Sequence, residues 1–288
     1  VGPNSAVRRW QLGETLRQLR EQAGLKHDDV IAELQKTYGK WSRPKLSRIE
    51  NREQGVKPRE VEQLLDAYQV TDPEMHQWLT GLAATPRENG WVTDIRKYVP
   101  EQFHKFLDWE SALTGYREFQ TLLVPGLLQT ADYARAVITG VNPNLTEEEI
   151  ERRVLARTSR QQILRRAKPP QLHVILDSGL LERPVGTVRT MREQLRSLAE
   201  ATESRNITIQ ILPKTTGASP ALEGPFSILT LPDPIPDIGY TECPGNTAYV
   251  ENRDEVRELT LRFGMLTEQS LPRDASVDAI TEAAKEYD

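Results

Sequence analysis

The chain has 288 residues, a net charge of −5, 38% hydrophobic and 27% charged residues, and a single cysteine. That length suits two domains, no apolar run approaches the roughly 20 residues that span a bilayer, and the lone Cys243 rules out an internal disulfide, which fits a reducing cytoplasm. The first ten residues lack the apolar stretch of a secretory signal, so a cytoplasmic location is expected; residues 1–5 are left out of the fold reasoning.

Leu12 to Ala84 shows apolar residues at helical spacing: Leu12, Leu16, Leu19 and Ala23; Val30, Ile31 and Leu34; Leu46 and Ile49. Pro58 opens a further segment carrying Val61, Leu64, Leu65 and Tyr68, and Asp72-Pro73 opens another with Met75, Leu79 and Leu82. Five short helices are predicted within residues 1–84. Residues 85–102, with Pro86, Asn89-Gly90 and Pro100, show no clear period and read as a linker.

In residues 103–288 the pattern predicts helices at Phe103 to Arg117, Ala131 to Thr139 and about Thr146 to Arg166, the last stopped by Lys168-Pro169-Pro170. Gln171 to Asp177 reads as a strand, Thr187 to Ser204 as an amphipathic helix, and Asn206 to Leu212 as a strand with alternating Ile207, Ile209 and Ile211, together a βαβ unit. Short strands follow at Pro225 to Leu231, Ile238 to Thr241 and Thr247 to Glu251, and helices at Glu255 to Glu268 and Ser276 to Glu286 close the chain.

The net acidity hides a local excess of the opposite sign. Residues 36–59 hold Lys36, Lys40, Arg43, Lys45, Arg48, Arg52, Lys57 and Arg59 against Glu50 and Glu53, the electrostatic footprint expected of a nucleic-acid binder. Charge alone would fit a solvated basic helix face equally well. The motif around it is more informative: Leu16-Arg17-Gln18-Leu19-Arg20-Glu21-Gln22-Ala23-Gly24-Leu25, then an acidic helix, then Ser42-Arg43-Pro44-Lys45-Leu46-Ser47-Arg48-Ile49-Glu50-Asn51. Gly24 suits a left-handed helix end, Lys26 to Asp29 starts the second helix, and Ser42 suits an N-cap, with Pro44 tolerated in the first turn of the third. With Leu46 and Ile49 turned to the core, Arg43, Lys45, Ser47 and Arg48 remain on the outer or N-terminal side.

This segment, about 70 residues long, resembles the XRE family of helix-turn-helix regulators, in which the second helix of the motif docks in the major groove. The resemblance implies that Arg20 and Glu50 form a structural ion pair joining the first helix to the recognition helix. It also implies that Arg43 and Arg48 face base edges, with Ser42 and Ser47 beside them, and that Lys26, His27, Lys45, Lys57 and Arg59 meet phosphates. Three departures stand out: His27 replaces a usual glutamine, Arg52 follows the Glu-Asn pair where glycine is usual, and the stretch Gln35 to Trp41 lengthens the turn before the recognition helix.

Further strings carry a second likeness: Gly90-Trp91, Val124-Pro125-Gly126-Leu127-Leu128-Gln129-Thr130 with Asp132-Tyr133-Ala134-Arg135-Ala136, Arg183-Pro184-Val185-Gly186, and Gly224-Pro225-Phe226-Ser227-Ile228-Leu229. From Gly90 to Leu271 the chain resembles the actinomycete domain of unknown function that follows an XRE motif, often labelled antitoxin-like. Val92 and Ser178 depart from it. The likeness implies an actinobacterial transcription regulator, often encoded beside a small partner protein. By its own residues, Val124 to Thr130 reads more readily as an extended segment turning at Pro125-Gly126 into a helix capped by Thr130 than as a binding site.

The fold class expected is therefore α+β multidomain, an N-terminal all-α five-helix helix-turn-helix domain followed by an α/β domain with a small mixed sheet. No enzyme is expected. His27, His76, His104 and His173 lack a second ligand at metal-binding spacing, Cys243 stands in no nucleophile motif, and neither a Walker loop nor G-x-G-x-x-G is present, so no metal, catalytic residue or cofactor is assigned. The expected partner is double-stranded DNA, bound by a homodimer because two-fold proteins match palindromic half-sites. The alternative is an antitoxin-like interaction module controlling a small protein from an adjacent gene. A small-molecule effector would require an apolar pocket with a few convergent polar groups in the second domain.

Overall fold

A computed structural model describes residues 5–84, 95–243 and 246–287, apart from the side chains of Ser5, Ala6, Gln102 and Cys243. The Gly90-Trp91 string, Val92, the first part of the stretch read as linker and the Cys243 thiol with the Pro244-Gly245 turn lie outside the described residues. The chain divides into two compact units, residues 1–90 with 232–235, and residues 91–231 with 236–288.

The first unit contains α1 (Ser5–Gln22), α2 (His27–Tyr38), α3 (Arg43–Glu50), α4 (Pro58–Ala67) and α5 (Pro73–Ala84). Leu16, Leu34, Leu46, Leu64, Leu65 and Leu79, one or two from each helix, form a fully buried centre. Helix ends set the path between these elements. After α1, Gly24 takes φ +70, and the Gly24 and Leu25 amides return to the carbonyls of Glu21 and Arg20, which stops the helix in a left-handed turn. The helical pattern of α2 runs on to Tyr38, so the turn to α3 is residues 39–42 and not the whole stretch Gln35 to Trp41. Trp41 explains the extra length: its ring is buried, its Nε1 donates to Gln63 at 2.9 Å, and its carbonyl accepts from Gln35 at 2.8 Å.

The second unit is a six-stranded mixed sheet with helices on both faces. Its strands are β1 (Gly115–Gln120), β2 (Gln171–Asp177), β3 (Ile207–Leu212), β4 (Phe226–Thr230), β5 (Ile238–Cys243) and β6 (Asn246–Val250), in the order β3-β2-β1-β4-β5-β6. β1, β2 and β3 are parallel neighbours, and β4, β5 and β6 continue antiparallel from β1. The helices are α6 (His104–Glu110), α7 (Ala131–Val141), α8 (Glu147–Ser159), the short α9 (Gly179–Glu182), α10 (Val188–Ala201), α11 (Arg253–Gln269) and α12 (Arg273–Lys285).

Two predicted helices are shorter here than their sequence pattern. The helix expected from Phe103 to Arg117 ends at Glu110, and its last residues enter β1, a central strand. Covered on both faces, β1 buries Tyr116, Glu118 and Phe119 and so lacks the polar–apolar alternation of a half-exposed strand. The long charged helix ends at Ser159 and passes into 3-10 turns through Arg165. Within the stretch read as linker, Ile95, Tyr98 and Val99 pack with Leu107 and Ala156.

Alternation along the strands sorts the two layers. On one face, Phe106 of α6 meets the rings of Tyr116 and Tyr240. On the other, Phe263 of α11 meets His173 and Phe226 and joins a core with Phe119, Ile175 and Ile228. The string Val124 to Thr130 is held by side-chain amides, one of its own and one from α10: Gln129 Nε2 donates to the Val124 carbonyl at 2.7 Å, buried Gln194 donates to Leu128 at 2.8 Å and accepts from the Thr130 amide at 2.7 Å, and Thr130 caps α7.

Glu118 stands at the middle of this sheet, 5% exposed, accepting from Gln120 at 2.8 Å. Burial raises its carboxyl to about 7, against smaller opposing effects of Gln120 and Arg160 and a further upward push from Glu242. The folded protein thus holds a proton that the unfolded chain releases near 4.5, and stability drains away as pH climbs from there through 7. Glu118→Gln should melt like the parent near pH 4.5 and exceed it at pH 8 by up to about 3 kcal/mol. Denaturant titrations at both pH values check this, and an equal difference at the two would assign the proton elsewhere.

Candidate nucleic-acid interface

Helix α3 presents two chemically distinct sides. Leu46 and Ile49 are buried in the core of the unit, whereas Ser42, Arg43, Pro44, Arg48 and Asn51 are exposed and Ser47 is half-buried. Ser42 occupies the N-cap with extended backbone, yet its hydroxyl makes no cap hydrogen bond; the Leu46 amide bonds the Ser42 carbonyl at 3.1 Å instead. The first amides of α3 are thus left without a side-chain cap at an exposed helix end.

Below this surface, Arg20 and Glu50 lock α1 to α3. Arg20 Nε and Nη2 each donate to a different oxygen of Glu50 at 2.8 Å, with the side chains 10% and 3% exposed. The third direction of the guanidinium is used too: Nη1 donates to the Leu25 carbonyl at 2.9 Å, just past the end of α1. His27 joins the pair through Nε2, 3.0 Å from Glu50 Oε2. The helices approach closely beside it, since a Cβ on Gly13 would lie 2.7 Å from the Ile49 carbonyl oxygen.

The end of α3 has an unusual residue in a familiar conformation. Arg52 adopts φ +68, its amide bonds the Ile49 carbonyl at 3.0 Å, and the Glu53 amide bonds the Arg48 carbonyl at 2.8 Å. This is the turn that glycine ordinarily makes, and a left-handed side chain costs about 1–2 kcal/mol. The Arg52 guanidinium lies 4.1 Å from the Trp10 ring centre, a cation–π contact that offsets part of that cost.

The basic residues divide by their surroundings. Arg43 faces Asp28 at 3.5 Å with both side chains about two-thirds or more exposed, and exposed Arg48 donates to Gln54 at 3.1 Å. Asn51, which sequence reasoning did not single out, donates to Ser47 Oγ at 3.3 Å on the same exposed surface. Lys26, Lys57 and Arg59 are exposed around it. Lys45 turns inward: it bonds Glu60 at 2.6 Å and lies 4.2 Å from the Trp41 ring centre. The other Glu60 oxygen accepts from the Lys57 amide at 3.0 Å. Burial pushes the Glu60 carboxyl upward, but Lys45 and the Lys57 amide outweigh it and hold the group below its ordinary range. The partners of His27 and Lys45 carry no local signal, because they lie 23 and 15 residues away in the chain, whereas Asn51 stands at helical spacing from Ser47 and could have been read from that.

Among the described residues no group of three or more His, Cys, Asp or Glu is placed to hold a metal ion, and no helix is long and apolar enough to cross a membrane.

The buried pair yields a direct test. Removing either partner leaves a charge in the core, which typically costs about 3–5 kcal/mol. Arg20→Ala and Glu50→Ala should each lower the melting temperature of the first unit, and the double variant should lose less than the sum of the two. Additive losses in calorimetry would mean that the two groups are not coupled.

Residues 11–78 match the family model described as a helix-turn-helix domain, which suggests a DNA-binding regulator. No curated protein and no solved structure matches the chain. Residues 103–282 match the model described as a domain of unknown function (DUF5753), and because that match spans more than half of the sequence, the chain belongs to the DUF5753 family.

Proposed function

We propose that the chain is a sequence-specific transcription regulator of the XRE type that reads double-stranded DNA with α3 as a homodimer in the cytoplasm, while its α/β unit takes a small effector. The observation that carries this reading is the exposed face of α3, with Arg43, Ser47 and Arg48 outward while Leu46, Ile49 and Glu50 are held in the core.

In this reading Arg43 and Arg48 address base edges. The Arg43–Asp28 contact is exposed, so it is worth little in water and exchanges readily for a guanine edge, where two hydrogen bonds discriminate by about 1–3 kcal/mol. Ser42 and the first amides of α3 grip a phosphate, and Lys26, Lys57 and Arg59 supply salt-dependent affinity. Lys45 and His27 keep their contacts with Glu60 and Glu50. One such helix spans few base pairs, which favours two copies on half-sites about one helical turn apart.

With an operator identified by genome-wide mapping of bound sites, Arg43→Ala and Arg48→Ala should each lower operator affinity about 10- to 100-fold with little effect on random duplex. Lys57→Ala should weaken both equally and reduce the slope of log affinity against log salt by about 1. Operator binding unchanged in both arginine variants would defeat the assignment of α3.

The dimer is tested separately. Sedimentation at working concentration, with and without operator, should give twice the mass of one chain. Monomers in both conditions would remove it.

A further inference from the structure

On the sheet face covered by α6, α7 and α8, the second unit holds a partly open cavity of about 520 Å³, within the size range of sites for drug-sized molecules. Two features of its lining remain unbalanced. Leu122 and Val141 line it yet are 55% and 70% exposed, an apolar edge left facing water. Opposite the sheet, Arg153 and Arg157, one turn apart on α8, also line it; among the described residues neither is within ion-pair distance of a carboxylate, and Glu149 acts on Arg153 and Glu242 on Arg157 only from further away. Arg157 is half-buried and donates to the neutral amide oxygen of Gln129 at 3.0 Å. Burial, reinforced by nearby Arg160 and only partly opposed by Glu242, lowers its pKa to about 10, so the fold compensates its charge in part.

The neighbouring arginine shows what compensation looks like in this fold. Arg160 donates to both oxygens of fully buried Glu110, at 2.7 and 2.6 Å. Arg157 and Arg153 have the cavity where Arg160 has Glu110. Acidic groups are present on the far side, each with its own hydrogen-bond donor: Glu118 has Gln120, and exposed Glu242 has the Tyr240 hydroxyl and reaches Arg157 only at longer range.

We infer that this cavity is a binding site for an organic carboxylate with an apolar body, its carboxylate on Arg157 and Arg153 and its hydrocarbon part between the Leu122 and Val141 edge and the apolar wall at Leu127. A guanidinium pairs with a planar carboxylate through two parallel hydrogen bonds, and a half-buried one does so with less screening than a surface group. The site was not visible in the sequence: Val124 to Thr130 reads there as a structural turn, and here it forms the cavity wall while Gln129 holds Arg157. This assignment rests on the effector reading above and specifies its chemistry.

The test is calorimetric titration of the full chain, without DNA, with octanoate and 2-naphthoate as probes and octan-1-ol and octylammonium as uncharged and cationic controls. Saturable one-to-one binding of at least one carboxylate is expected, with both controls at least tenfold weaker. Arg157→Gln and Arg153→Gln should each weaken that carboxylate at least tenfold; because neither side chain is in a close ion pair, both variants should melt within a few degrees of the parent. Equal affinity for carboxylate, alcohol and ammonium, no binding of either carboxylate, or full affinity in both variants would overturn the site. If the carboxylate binds as expected but leaves operator affinity unchanged, the site stands and the effector reading falls.

Discussion

Glu50 is the point where three helices of the first unit meet. Its carboxylate takes two hydrogen bonds from Arg20 at the end of α1, faces His27 at the start of α2, and belongs itself to the last turn of α3. A buried ion pair of this kind is weak evidence of net stability, because two charges must be taken out of water to make it. Its geometric demand is stricter than its energy. Both oxygens and all three directions of the guanidinium are used, so only one rotation of α3 about its axis leaves no buried charge unpaired. The close contact at Gly13 imposes the same choice through steric exclusion. The side of α3 that faces water, and with it the positions of Arg43 and Arg48, follows from what is satisfied underneath.

Arginine does different work in this chain according to its partners. Arg20 and Arg160 are buried, bound by two bonds to a carboxylate, and act as fixed struts. Arg43 is exposed beside an exposed aspartate and keeps its conformational freedom. Arg157 lies between these cases, half-buried with a neutral partner, a combination that favours an incoming anion. Arg52 serves the backbone, taking a left-handed turn whose cost the Trp10 ring helps to offset.

The two units solve the same problem, fixing irregular backbone, with different residues. In the first, helix ends close on their own carbonyls at Gly24, Arg52 and Gln69, each with positive φ. In the second, the turn from β1 to α7 is fixed by side-chain amides, with Gln129 and Gln194 bonding the carbonyls and amides that a helix or sheet would otherwise use. Buried backbone groups must be paired, so these glutamines are as much part of the fold as its aliphatic core. Gln129 also orients Arg157, so the same residue serves the chain path and the cavity.

Local pattern was sufficient wherever structure repeats along the chain. The five N-terminal helices, the left-handed stop at Gly24, the Thr130 cap and the strands β2 to β6 all follow from periodicity and turn chemistry, since each depends on neighbours a few residues away. β1 escaped that reading because a central strand buried on both faces loses its alternation and passes for the end of a helix. The sequence also marked α3 as basic without separating its cations. Only the fold turned Lys45 toward Glu60, tied His27 to Glu50, left Arg43 and Arg48 facing water, and brought Arg157, Leu122 and Glu118 around one cavity. Those outcomes depend on charges and surfaces that meet across tens of residues, and which partner a charged side chain finds is decided by packing rather than by its place in the chain.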